Sequence, residues 1–184
     1  MTCDETTFSP GSPWDARALL PVAVLRHGRR GRHAAARWAL WLRFPHEDLR
    51  GLTPAAHAAF TAVRTEALWR DRQLVGLTSG HRDAATQWRM FLTEIARTGS
   101  EAVARKRVLP ADESAHVTGT AMDVRPVEGA RWLEAHGWRF RLYRRYDNEW
   151  WHLEHWPAGP PPRLPHSGVS RPIPAPGRRT AAWR

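Results

Sequence analysis

Cysteine and lysine are almost missing from this chain. Cys3 is the only cysteine in 184 residues, so no intrachain disulfide can form and thiolate metal clusters are excluded. Lys106 is the only lysine among 28 basic residues, which points to overall composition rather than to an arginine code. No internal repeat is present, and no apolar run approaches the ~20 residues that a membrane span needs. The stretch "RHGRRGRHAAARWALWLRF" (26–44) sets arginines ahead of apolar residues, but Arg37 and Arg43 interrupt it and no small-residue cleavage site follows. It reads as a basic amphipathic segment. The expected location is therefore cytoplasmic, with a cell-envelope or secreted protein as the alternative.

Acidic residues are also scarce relative to basic ones, and the net charge is +10. Such an excess suggests nucleic acid or an anionic membrane as partner, but its distribution argues otherwise. Residues 51–156 carry fifteen basic and thirteen acidic groups, whereas residues 157–184 carry five arginines and no acid. Half of the excess thus sits in a short tail, and no specific nucleic-acid partner is expected.

The apolar fraction of 42% suffices for one packed core. Residues 1–34 read as an irregular basic segment, with Pro10, Gly11, Pro13 and Pro21 near its start. Residues 34–44 read as a short helix or strand. Thr53 is a candidate N-cap and Pro54 suits the first helical position, opening a helix with Phe60, Val63 and Ala67 on one face. "LVGLTSG" (74–80) reads as a strand. A second helix follows, with Trp88, Phe91, Leu92 and Ile95 at the spacing of one buried stripe and Gly99 beyond its end. "EGARWLEAHG" (128–137) reads as a third helix, and "WRFRLYRRY" (138–146) has the alternation of a strand. From Pro157 to Arg184 the chain is rich in proline, glycine and arginine, and is expected to be disordered. This order predicts an α+β domain over residues 35–156.

Three stretches carry chemistry: "TSGHRDAATQ" (78–87), "ESAHVTGTAMDV" (113–124) and "NEWWHLEHW" (148–156). His116 and Asp123 flank Gly119, which allows the chain to turn and both side chains to approach one point. His152 or His155 could add a third metal ligand. Asp123, between Met122 and Val124, needs a partner for its carboxylate. On an ideal strand Glu149 would share a face with His155 and not with His152, so periodicity alone leaves the two histidines open.

The pattern S-x-H-x-x-G-x-A-x-D at Ser114, His116, Gly119, Ala121 and Asp123, followed by E-x-W-H at Glu149, Trp151 and His152, resembles the zinc D-alanyl-D-alanine carboxypeptidase and dipeptidase family of VanY and VanX type. "SGHRDAATQ" is similar to that family's S-G-x-R-x-x-x-x-Q segment through Ser79, Gly80, Arg82 and Gln87. The resemblance covers about residues 53–156. "EWWH" is closer to the dipeptidase branch, the other segments are closer to the carboxypeptidase branch, and His81 replaces a usual aromatic residue.

The resemblance implies a small antiparallel sheet flanked by helices, as in Hedgehog and DD-peptidase folds, and one zinc ion per chain on His116, Asp123 and His152. It also implies Glu149 as general base toward the attacking water, Arg82 on the substrate carboxylate, and Gln87, Ser114 and Trp151 as supporting or substrate-binding residues. The implied reaction is removal of the C-terminal residue from a peptide or peptidoglycan-type precursor ending in D-Ala-D-Ala, by a protein expected to be monomeric. Alternatives are a dipeptidase, an L,D-endopeptidase, a small-peptide tailoring peptidase and a non-catalytic zinc-containing binding module.

Overall fold

A computed structural model describes residues 16–169, so the expectations for residues 1–15 and 170–184, Cys3 included, lie outside the described residues. Four short strands form one antiparallel sheet in the order β1 (Gly76–Ser79), β2 (Ala121–Arg125), β4 (His152–His155), β3 (Leu142–Arg144). The fold is α+β, as the element order predicts.

One face of the sheet makes the core. Leu77, Met122, Val124, Leu142 and Leu153 project from the strands onto Phe60, Val63 and Ala67 of α3 (Pro54–Asp71) and onto Ala130 and Leu133 of α6 (Val127–His136). The start of α3 forms as its sequence requires: Pro54 occupies the first turn and the Thr53 hydroxyl accepts from the Ala56 amide at 3.2 Å. A cap of this kind contributes about 1 kcal/mol. Side chains two apart on a strand, such as His152 and Glu154, project together from the opposite face of the sheet.

Four expectations need correction. Residues 16–33 are helical rather than irregular, and 34–43, read as a short helix or strand, continue that helix: α1 (Ala16–His27) and α2 (Gly31–Arg43) form a hairpin joined by a short 3-10 turn. Its seam consists of small residues, with Ala16, Ala23, Gly31, Ala35 and Ala36 all buried. A side chain on Gly31 would collide with Val24. On α1 the hydrophobic periodicity is weak, and Pro21 and Gly28 look like breakers in sequence. The strand expected over 138–146 is mostly not one, since Gly137–Phe140 is a 3-10 turn, Leu142–Arg144 alone joins the sheet and Tyr146 makes a single bridge to Leu164. On α4 (Ala84–Thr98) the expected stripe is largely on the surface: Phe91 is buried, but Trp88 is 43% and Leu92 58% exposed. Buried Gln87 replaces them, because this helix borders a pocket instead of the core.

The fourth correction concerns residues 157–169. The Leu164 amide donates to the Arg145 carbonyl (3.0 Å), the Asp147 amide donates to the Leu164 carbonyl (2.9 Å), and the Ser167 hydroxyl donates to the Arg105 carbonyl (2.8 Å). Arg163 pairs with Glu134 at 2.6 Å. This strap has no core of its own; it is fastened to existing loops through backbone groups, which composition does not report. A chain ending at Trp156 is expected to melt about 5 °C or more below one ending at Val169, given a strap worth a few kcal/mol. Equal melting temperatures by calorimetry would contradict this role.

Candidate metal centre

The register of the sheet builds the site. Asp123 on β2 lies directly across from His152 on β4, a pairing that brings side chains on the same face within contact. Asp123 Oδ1 is 3.1 Å from His152 Nδ1. The third member comes from the loop before β2, where His116 Nε2 lies 3.3 Å from the same Asp123 oxygen. The chain reverses between the two at Gly119, whose φ is +71°, and a Cβ there would run into the Gly51 carbonyl. His116 Nδ1 lies 2.7 Å from the Gly80 carbonyl oxygen. A carbonyl can only accept, so Nδ1 carries a proton there, and Nε2 is the nitrogen that faces the cluster.

Ligand atoms of His116, Asp123 and His152 all lie within 4.8 Å of one another, a group that could hold a metal ion. Two imidazole nitrogens and one carboxylate oxygen match a catalytic zinc's three-ligand set. Burial would raise the Asp123 carboxyl, but hydrogen bonds from His116 and His152 outweigh it and hold it well below the usual carboxylate range. Burial likewise pulls His152 down, yet its hydrogen bonds to Asp123 and Glu154 push it up to about 10. A cation that binds here therefore competes with a proton on His152. Zinc affinity is expected to fall about tenfold per pH unit on acidification, one proton being displaced. Chelator competition between about pH 6 and about pH 8 checks this; a flat profile would contradict it.

Glu149 precedes β4, in a turn where the His152 amide donates to the Glu149 carbonyl at 3.2 Å. Strand alternation does not apply there, and the Glu149 carboxylate comes within 3.9 Å of His152 Nδ1. His155 projects to the opposite, core side with Leu153 and Leu142, which decides between the two histidines. Burial, reinforced by Asp123 and Glu154 and opposed by His152 and Arg107, pushes the Glu149 carboxyl up to about 6.

These groups line one cavity of about 510 Å³ together with Arg82, Gln87, Ser114 and Trp151. Arg82 donates to the Gln87 side-chain carbonyl at 2.7 Å and to the Ser79 hydroxyl at 3.1 Å. Both acceptors are uncharged. The nearby acids are engaged elsewhere: Asp83 caps α4 through the Thr86 amide and Glu94 pairs with Arg97. Gln87 spends its amide N–H on the Leu109 carbonyl (2.6 Å), so it orients Arg82. Trp151 forms part of the wall, whereas its neighbour Trp150 is 39% exposed and lies outside the lining.

Sequence reasoning missed Met90, Arg107, Tyr146, Glu154 and Ser167 of the same lining. The alternation His152-Leu153-Glu154 signals Glu154 once β4 is known, and nothing in the sequence signals Ser167.

No family model and no curated protein sequence matches the chain. Solved structures do match in fold. VanYB in complex with D-alanine-D-alanine is 21% identical, with a TM-score of 0.51 over 56% of this chain and 71% of that one. A mutant of the vancomycin-resistance D,D-pentapeptidase VanY in complex with Zn(II) is 23% identical, with a TM-score of 0.51 over 59% and 76%. The LD-carboxypeptidase LdcB is 23% identical, with a TM-score of 0.53 over 61% and 64%. The fold is thus the one that the sequence resemblance implies.

Proposed function

We propose that this chain is a zinc peptidase that removes the C-terminal residue, D-alanine, from peptides ending in D-Ala-D-Ala. The observation that carries the reading is the convergence, in one cavity, of the His116–Asp123–His152 group, the Glu149 carboxylate and an arginine, Arg82, with no ion-pair partner among the described residues. Fold relatives in complex with Zn(II) and with D-alanine-D-alanine support the choice of metal and substrate class.

His116 Nε2, the Asp123 carboxylate and His152 Nδ1 would hold the ion. A zinc ion held there supplies Lewis acidity, polarising the scissile carbonyl and lowering the pKa of water. Glu149 accepts the proton of the attacking water and delivers it to the departing amine, a role suited to a carboxyl near the working pH. Arg82, held at two nitrogens by Gln87 and Ser79, presents the rest of its guanidinium to the C-terminal carboxylate of the substrate. Trp151 limits water in the cavity, which strengthens each of these charges.

Glu149 must be ionised to act, so kcat/KM is expected to rise with pH through its titration. Burial sets that pKa at about 6, and a bound cation draws it lower, so the acid limb lies at or below that value. An acid limb well above neutrality would assign the base to another group. The reaction itself is tested by D-alanine release from an N-acylated peptide ending in D-Ala-D-Ala. Release that a chelator stops and zinc restores is expected; no release from zinc-loaded protein would overturn the proposal, and release of the intact D-Ala-D-Ala pair would move it to the dipeptidase reading.

A further inference from the structure

The two nitrogens of His152 face different carboxylates. Nδ1 lies 3.1 Å from Asp123 Oδ1, within the candidate ligand group, and Nε2 lies 3.3 Å from Glu154 Oε1 on the far side of the ring. Nδ1 is the nitrogen a cation would use, which leaves Nε2 to carry the proton and donate it to Glu154.

Glu154 lies beyond the E-x-W-H segment that carries the resemblance, and it is 1% exposed. A carboxylate so deep in a strand is costly unless each oxygen is engaged. Here both are. Oε1 faces His152 and Oε2 accepts the Trp156 indole N–H at 2.7 Å. Arg145, 3% exposed, places Nε 3.9 Å from Oε2 and lies over the rings of Tyr146 and Trp156. The Glu154 backbone is fixed between Ala121 on β2 and Tyr143 on β3. Glu154 is also absent from the candidate ligand group itself, because it meets the wrong side of the imidazole.

We propose that Glu154 is a positioning residue for the metal ligand His152. It holds the imidazole through Nε2–H, fixes the tautomer that presents Nδ1 to the ion, and is itself held by Trp156 and Arg145. The inference rests on the zinc reading of the site, but it concerns how tightly and in what geometry the ion is held. Carboxylates behind metal-bound histidines orient the ring and raise its basicity, and their loss weakens metal binding about 10–100-fold.

Two variants of the full chain test it. Glu154→Gln keeps the side-chain shape but offers a neutral acceptor. Trp156→Phe keeps both buried charges and an aromatic ring beneath Arg145, and removes the indole N–H that fixes Oε2. Zinc affinity is measured by competition with a chromophoric chelator, and the ligand field by the visible spectrum of the cobalt(II)-loaded protein. Thermal unfolding of the metal-free forms confirms that each variant is folded.

Glu154→Gln is expected to weaken zinc binding about 10–100-fold and to change the cobalt bands, with Trp156→Phe between it and wild type. Wild-type affinity and an unchanged cobalt spectrum in Glu154→Gln would overturn the inference while leaving the zinc reading intact. Should Glu154→Gln not fold, unchanged affinity and spectrum in Trp156→Phe would overturn it equally. Wild-type protein that takes up no zinc would overturn the reading of the site and this inference with it.

Discussion

Glu149→Ala is expected to bind zinc with near-native affinity and to lose turnover by about 10²–10⁴-fold, the range that a positioned general base contributes. The geometry separates the two roles. Glu149 is outside the group whose ligand atoms converge within 4.8 Å, yet its carboxylate is 3.9 Å from His152 Nδ1, close enough to reach a water beside the ion. Its loss removes the proton acceptor and leaves the ligands in place. Single-turnover kinetics on zinc-loaded variant, with metal content measured alongside, checks both halves. Near-native turnover would pass the base role to another group of the cavity, and loss of zinc would make Glu149 a ligand.

Arg82→Leu is expected to cost about 10²-fold in kcat/KM on peptides with a free C-terminus, from a charge-assisted bond of about 3 kcal/mol. The effect should vanish on the same peptides carrying a C-terminal amide, which the wild-type enzyme itself should cleave poorly. Arg82→Lys is expected to recover only part of the loss, since an ammonium lacks the fork that matches a carboxylate. The physical basis is that Arg82 is held by two neutral oxygens and keeps its charge for a ligand. Equal losses on free and amidated peptides would make Arg82 a structural residue and favour an endopeptidase.

The site was more legible than the frame around it. Asp123 between two apolar residues called for partners, and both His116 and His152 supply them. The choice of His152 over His155 came only from resemblance, because the turn that frees Glu149 from strand alternation is not written in the alternation itself; the register with Asp123 supplies the missing reason. Helix α1 and the start of α2 were hidden because alanine and glycine form the hairpin seam. The surface stripe of α4 misled because helical spacing says which residues align, and not what they face. The strap over 157–169 was hidden because backbone hydrogen bonds hold it.

The most direct test of the account is the anomalous difference density of a zinc-soaked crystal, recorded on either side of the zinc edge. A single strong peak is expected within bonding distance of His116 Nε2, the Asp123 carboxylate and His152 Nδ1, beside Glu149. Zinc bound at another place, or no peak in protein soaked to saturation, would contradict the metal centre and with it the proposed function.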